Sequence, residues 1–146
     1  MSDLGELYQE IILDHYKKPR NSGLLEHPTC LSNGNNPLCG DKISVYLDVK
    51  DGRIAGILWK GSGCAISTAS ASLMSDAVKG LDRAAVDALF QRFHAMVTGT
   101  GSTENLDKLV VFQGVSEYPA RVKCASLAWH TLRAALEGRS DPISTE

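Results

Sequence analysis

The chain has little of several features that would define a function class at once. The formal net charge of its 146 residues is −2, which gives no reason to expect nucleic acid or an anionic membrane as a partner. No apolar run approaches the roughly 20 residues that cross a bilayer. The first residues are acidic and lack the apolar core of a signal peptide, so we expect a cytoplasmic protein.

Cysteine is also scarce, and its spacing excludes the short metal-binding motifs. The four cysteines include no Cys-x-x-Cys pair, and none of the four histidines has ligand spacing to another. Gly61-x-Gly63 lacks the rest of a dinucleotide-binding fingerprint. In a reducing compartment, widely spaced cysteines indicate metal binding or catalysis more often than disulfides. Any joint cysteine site must therefore be assembled by the fold.

The hydrophobic pattern predicts a single α+β domain over residues 1–138, followed by a polar, flexible tail over residues 139–146. Four helices are predicted. The first runs from Leu4 to a stop at Pro19, and the second begins after Cys64. The third runs from a cap at Asp82 through residue 97, and the fourth begins near Pro119. Alternation predicts strands over residues 43–49 and 53–60, with a short third strand around residues 59–63. Residues 21–36 are predicted to be a loop. The expected fold is a small antiparallel three-stranded sheet with helices packed over it.

Three cysteines stand where a metal site would need them, although each alone has a simpler explanation. Cys64 follows a Gly-Ser-Gly turn and opens a helix, whose partial positive charge stabilises a thiolate; a buried cysteine at a tight turn fits equally well. Cys39 and Asp41 form a Cys-x-Asp pair that can offer one soft and one hard ligand to a metal. The simpler interpretation is that Asp41 caps a turn. Cys124 lies in the first turns of a helix beside Lys123, and taken alone it is better explained as a core cysteine. Cys30 and His15 are interpreted as an incidental thiol and a packed histidine.

Taken together, these motifs resemble the IscU/SufU-type family of iron–sulfur cluster assembly proteins, also found as the amino-terminal domain of NifU. The resemblance covers nearly the whole chain. It is carried by Tyr8 and by the segments 12–16 (ILDHY), 19–21 (PRN), 36–41 (NPLCGD), 61–67 (GSGCAIS) and 121–129 (RVKCASLAW).

The resemblance implies that Cys39, Asp41, Cys64 and Cys124 converge at one exposed end of an α+β fold. In the family this site holds zinc or a labile [2Fe–2S] cluster and receives sulfur from a cysteine desulfurase. Thiolates suit both roles, since they bind zinc and iron and attack persulfide sulfur. The chain is then expected to be a sulfur acceptor or scaffold, not a stand-alone enzyme, and to serve downstream assembly proteins or apo-proteins.

Two departures from the IscU branch resemble SufU. Lys123 replaces the histidine that precedes the last cysteine in IscU, and the stretch over residues 81–118 is longer. Protonated lysine cannot bind a metal, so Asp41 becomes the expected fourth ligand. The resemblance to SufU further implies that the metal is zinc, that the sulfur donor is a SufS-type desulfurase, and that Cys39 accepts the persulfide. A [2Fe–2S] scaffold is the alternative. A purely structural zinc domain is disfavoured because the glycine-flanked cysteines are expected to be exposed.

Overall fold

The structure is a computed structural model that describes residues 3–37, 40–138 and 143–144. Four strands, four α-helices and one 3₁₀ helix succeed one another along these residues. In chain order they are α1 (Asp3–Lys17), β1 (Cys30–Asn36), β2 (Asp41–Lys50), β3 (Arg53–Ser62), α2 (Ala65–Ala77), α3 (Arg83–Val97), the 3₁₀ helix (Asp107–Glu117), α4 (Pro119–Leu136) and β4 (Ile143–Ser144).

The sheet has the predicted three antiparallel strands, in the order β3-β2-β1, and β4 adds two residues in parallel to the outer edge of β1. The position predicted for the third strand is wrong. Residues 59–62 are the end of β3, and the third antiparallel strand is β1, which lies in the stretch predicted as a loop. The inward positions of β1 are Ser32, Gly34 and Asn36, so hydrophobic periodicity gives no signal there.

Gly34 shows why small residues occupy this strand. A Cβ at Gly34 would overlap Thr131 Oγ1 and lie 3.1 Å from Leu127 Cδ1, because α4 packs directly on β1. A larger side chain would push the helix off the sheet. The position of α4 matters for function, since α4 carries Cys124 towards the end of the sheet.

The four predicted helices are confirmed. α1 ends at Lys17, α2 begins directly after Cys64, α4 begins at Pro119, and the Asp82 side chain caps α3 by accepting a bond of 2.8 Å from the Ala85 backbone N–H. The helices cover one face of the sheet. The core between them is fully buried; its members include Val45, Leu47, Met74, Phe93 and Trp129.

The long stretch before α4 forms a defined element. Residues 98–106 are irregular, and the 3₁₀ helix that follows packs against α1, α2, α3 and α4. Within the described residues, no helix is long and apolar enough to cross a membrane. The prediction of a flexible tail falls mainly on residues 139–142 and 145–146, which lie outside the described residues.

Candidate metal centre

The fold brings together three of the four predicted site residues. One carboxylate oxygen of Asp41 and the Sγ atoms of Cys64 and Cys124 all lie within 4.8 Å of one another. Asp41 is the first residue of β2, Cys64 immediately precedes α2, and Cys124 lies in the second turn of α4. Residues that are far apart in sequence therefore meet at the end of the sheet where β2 begins and β3 ends.

Asp41 forms the floor of this cluster. Its side chain is fully buried, and Oδ1 accepts a hydrogen bond of 2.9 Å from the Cys64 backbone N–H. The Cys64 Sγ lies 3.8 Å from Oδ2. A Cβ at Gly63 would overlap Oδ1 and lie 2.9 Å from the Asp41 Cγ. Glycine at this position is thus required by the close approach of the carboxylate to the backbone before Cys64.

Cys64 occupies the N-cap position of α2. Its backbone is extended, with φ −71° and ψ 169°, and its Sγ accepts a hydrogen bond of 3.4 Å from the Ser67 backbone N–H. At a helix N-terminus the first backbone N–H groups have no partner within the helix, and a side chain at the N-cap position can accept from them. Cys64 is half-buried, whereas Asp41 and Cys124 are fully buried. The predicted position of Cys64 at the start of a helix is confirmed.

Cys124 is fully buried, and a buried amide reaches its sulfur. Asn36 Nδ2 donates to Cys124 Sγ at 3.8 Å, from the last position of β1. Asn36 is itself fully buried. Sequence reasoning did not assign it a role, although it is the first residue of the Asn-Pro-Leu-Cys-Gly-Asp motif. An amide N–H directed at sulfur stabilises a thiolate and fixes its orientation.

These three side chains fit a soft divalent metal. Among the described residues, no lysine, arginine or histidine forms an ion pair with Asp41. A fully buried carboxylate without a cation is costly, and a metal ion beside it removes that cost. Thiolate and carboxylate ligands are those of zinc and of iron–sulfur sites. Sulfur ligands on tetrahedral zinc lie about 3.8 Å apart, so the three donors need only a small contraction.

The fourth predicted site residue, Cys39, lies outside the described residues, together with Leu38. The residues on either side are described. Asn36 pairs with Asp41 across β1 and β2, and the Gly40 backbone N–H donates to the Asn36 carbonyl at 2.8 Å. The role of Cys39 as ligand and persulfide acceptor therefore stays a prediction.

Two of the site residues are buried within the protein. Asp41 and Cys124 are both 0% exposed, because α4 and the first residue of β2 are packed together at this end of the sheet. The exposure argument against a purely structural zinc domain concerned the glycine-flanked cysteines, of which Cys64 is half-buried and Cys39 lies outside the described residues. Accessibility at the cluster comes instead from the half-buried Cys64.

Two other predictions concern residues away from the cluster. Cys30 lies at the opposite end of β1 from Asn36, six residues and about 20 Å along the strand, which fits an incidental thiol. It belongs to a strand and not to the predicted loop. His15 is buried and hydrogen-bonded through Nδ1 to Ser72 Oγ at 2.7 Å, so its interpretation as a packed histidine is confirmed. Burial, and then the nearby charge of Arg20, lowers the pKa of His15.

Comparison with known proteins identifies the family. The profile of the NifU-like N terminal domain matches residues 7–125. The zinc-dependent sulfurtransferase SufU of Bacillus subtilis is 38% identical over 133 residues, covering 90% of both chains. The scaffold protein IscU of Streptococcus pyogenes is 37% identical, over 94% of this chain and 87% of its own. A crystal structure of a candidate SUF-system scaffold from Fervidobacterium islandicum superposes with a TM-score of 0.81 at 30% identity, covering 90% of this chain and 97% of that one.

A shared fold, the matched profile and the two-cysteine, one-aspartate cluster together define the class. The chain belongs to the family of NifU-like N-terminal domains and, within it, to the IscU/SufU-type iron–sulfur cluster assembly proteins. The family resemblance inferred from the sequence is confirmed, as is the α+β fold that it implied.

Proposed function

We propose that this protein accepts sulfane sulfur from a SufS-type cysteine desulfurase at a zinc site held by Cys39, Asp41, Cys64 and Cys124. The observation that carries the proposal is the convergence of the Asp41 carboxylate with two cysteine sulfurs within 4.8 Å, in a chain related to a zinc-dependent sulfurtransferase. The sulfur would then pass to downstream assembly proteins or apo-proteins.

Covalent geometry supports including Cys39 in the site. Two peptide units separate Cys39 from Asp41, so their Cα atoms cannot lie more than about 7 Å apart. Asp41 in turn contacts Cys64. A cysteine side chain within this reach completes a set of four ligands, which is the number that zinc takes in closed sites.

The proposed transfer needs a thiolate that can leave the metal. The Cys39 thiolate attacks the outer sulfur of the desulfurase's cysteine persulfide, a new S–S bond forms at Cys39, and the desulfurase cysteine leaves as a thiolate. Zinc, when bound, keeps the cysteines deprotonated at neutral pH. The buried Asp41 and Cys124 keep the site in place, while Asn36 holds the Cys124 sulfur.

Sequence identity does not separate the two subtypes, because the SufU and IscU relatives are 38% and 37% identical to this chain. The resemblance of two features to SufU favours the sulfur-acceptor role. One is the long stretch that contains the 3₁₀ helix Asp107–Glu117. The other is Lys123, half-buried directly before Cys124, at the position where the IscU branch has histidine.

The test is stimulation of desulfurase turnover by cysteine variants of this protein. Cys39→Ala should abolish stimulation, and Cys30→Ala is the matched control, since Cys30 lies at the far end of β1. Mass spectrometry of the wild type after a single turnover should show 32 Da added per chain, one sulfur atom, on the peptide that contains Cys39. Undiminished stimulation by Cys39→Ala would rule out the assignment.

The second candidate function is a scaffold that assembles and transfers a labile [2Fe–2S] cluster. It is favoured by the IscU relative named above and by the same donor set, since thiolates are the usual ligands of such clusters. Anaerobic reconstitution with iron and sulfide should then produce charge-transfer absorption in the visible range. A colourless product under those conditions would exclude this candidate.

A further inference from the structure

The open face of the sheet carries a polar groove next to the metal centre. The helices cover the other face, and the groove, of about 570 Å³, is formed by three consecutive residues from each of β1, β2 and β3. Its polar side chains form two cross-strand rows, Asn33–Ser44–Lys60 and Asn35–Lys42–Ser62.

The charge of this groove is of one sign. Lys42 and Lys60 are exposed, and among the described lining residues there is no aspartate or glutamate. Neither lysine forms an ion pair with any described residue. The two lysines are diagonal neighbours across β2 and β3, with their Cα atoms about 7–8 Å apart. The chain as a whole has a net charge of −2, so this positive patch contrasts with its average.

The remaining polar groups of the groove add hydrogen-bond donors. Ser44 Oγ donates to Asn33 Oδ1 at 2.5 Å, which uses the amide oxygen and leaves the amide N–H groups of Asn33 as donors. Two ammonium groups beside amide N–H groups are a set of donors suited to carboxylates.

An apolar row lies directly beyond the polar rows. Leu31, Tyr46 and Leu58 are cross-strand neighbours one row away from the Asn33–Ser44–Lys60 row, so about 7 Å separates the two rows. Leu31 is 44% exposed. Leu24, which is 52% exposed, follows Gly23, whose backbone N–H donates to the Trp59 carbonyl at the outer edge of β3. The face therefore offers cationic groups near the metal centre and an apolar strip farther away.

The groove and the metal centre share one end of the sheet. Lys42 directly follows Asp41, and Ser62 precedes Cys64 by two residues. Successive side chains of a strand point to opposite faces, so Asp41 faces the cluster while Lys42 faces the groove. A protein that engages Cys64 can wrap around this end and contact the groove with a neighbouring segment.

We infer that this groove docks an acidic segment of the sulfur-donating desulfurase, with carboxylates on Lys42 and Lys60 and an apolar side chain on the Leu31–Tyr46–Leu58 row. The inference rests on the proposed function for the identity of the partner. The positive charge of the groove carries it. A groove with two unpaired cations and no acidic side chain among its described residues selects an acidic partner and accelerates its association.

The experiment measures desulfurase turnover against the concentration of this protein. Charge reversal in Lys42→Glu/Lys60→Glu should raise the concentration for half-maximal stimulation at least about tenfold, since like charges across an interface are strongly unfavourable. Lys18→Glu/Lys108→Glu makes the same change of net charge at exposed positions away from the groove, and should stay within about twofold of the wild type. Equal values for the two double variants would overturn the inference.

A second readout separates this inference from the proposed function. If the wild type fails to stimulate the desulfurase, the proposed function fails, and the groove is tested with a synthetic peptide of six glutamates followed by leucine. NMR shifts of the zinc-loaded protein on titration with this peptide should centre on Asn33, Ser44 and Lys60 and vanish in Lys42→Glu/Lys60→Glu. Shifts centred elsewhere, or none at millimolar peptide, would refute the docking groove.

Discussion

Gly63→Ala tests the geometry of the metal centre by the smallest change available. The added Cβ would overlap the Asp41 Oδ1, and it would lie 2.9 Å from Cγ and 3.1 Å from Cβ of the same side chain. Asp41 cannot swing away, because it is fully buried and bonded to the Cys64 backbone N–H. Either the carboxylate or the turn before Cys64 must therefore move.

Overpacking of this kind costs about 1–3 kcal/mol. If the cost falls on the metal-binding geometry, zinc affinity drops roughly 5- to 150-fold, at 1.4 kcal/mol per tenfold. The assay is competition for zinc with a chromophoric chelator. The matched control is Gly114→Ala, where a Cβ has nothing within 4 Å and the backbone needs no positive φ. That variant should bind zinc like the wild type.

A double-mutant comparison identifies the cause of the loss. In Asp41→Ala the overlapping carboxylate atoms are gone, so adding Gly63→Ala should cost less there than in the wild type. The reasoning is refuted if Gly63→Ala binds zinc with wild-type affinity, or if it costs as much without the carboxylate as with it.

Three further predictions concern stability. The pKa of His15 is lowered from 6.5 in the folded protein, so below pH 6.5 the unfolded chain binds more protons than the folded chain. The free energy of unfolding should therefore fall from pH 7 to pH 5. The fall should be less steep in His15→Asn. Asp82→Ala removes the cap of α3 and should cost about 1 kcal/mol in urea unfolding, with no change in zinc affinity. Gly34→Ala places a Cβ against Thr131 and should cost about 1–3 kcal/mol, whereas a cost near zero would show that α4 can move off β1.

The helices and two strands were predictable because their apolar residues repeat with the period of the element. β1 was not, since its inward residues Ser32, Gly34 and Asn36 are small or polar to accommodate α4. Its burial follows from the packing of a distant helix, which no local pattern contains. Strand prediction by alternation fails wherever a helix lies this close to the sheet.

Part of the metal centre was likewise predictable from the sequence, and part was not. The cysteine motifs and Asp41 indicated a joint site, and the structure places three of the four side chains together. The N-cap position of Cys64 followed from the Gly-Ser-Gly turn before it. The amide of Asn36 on Cys124 could not be predicted, because it depends on the pairing of β1 with β2 and on the approach of α4. The burial of Asp41 and Cys124 has the same origin.

The most direct test of the central claim is the metal and acid-labile sulfide content of the protein purified without oxygen. A sulfur acceptor with a Cys39–Asp41–Cys64–Cys124 site predicts about one zinc per chain and no sulfide. Iron and sulfide in comparable amounts, with little zinc, would contradict it and establish the cluster scaffold instead.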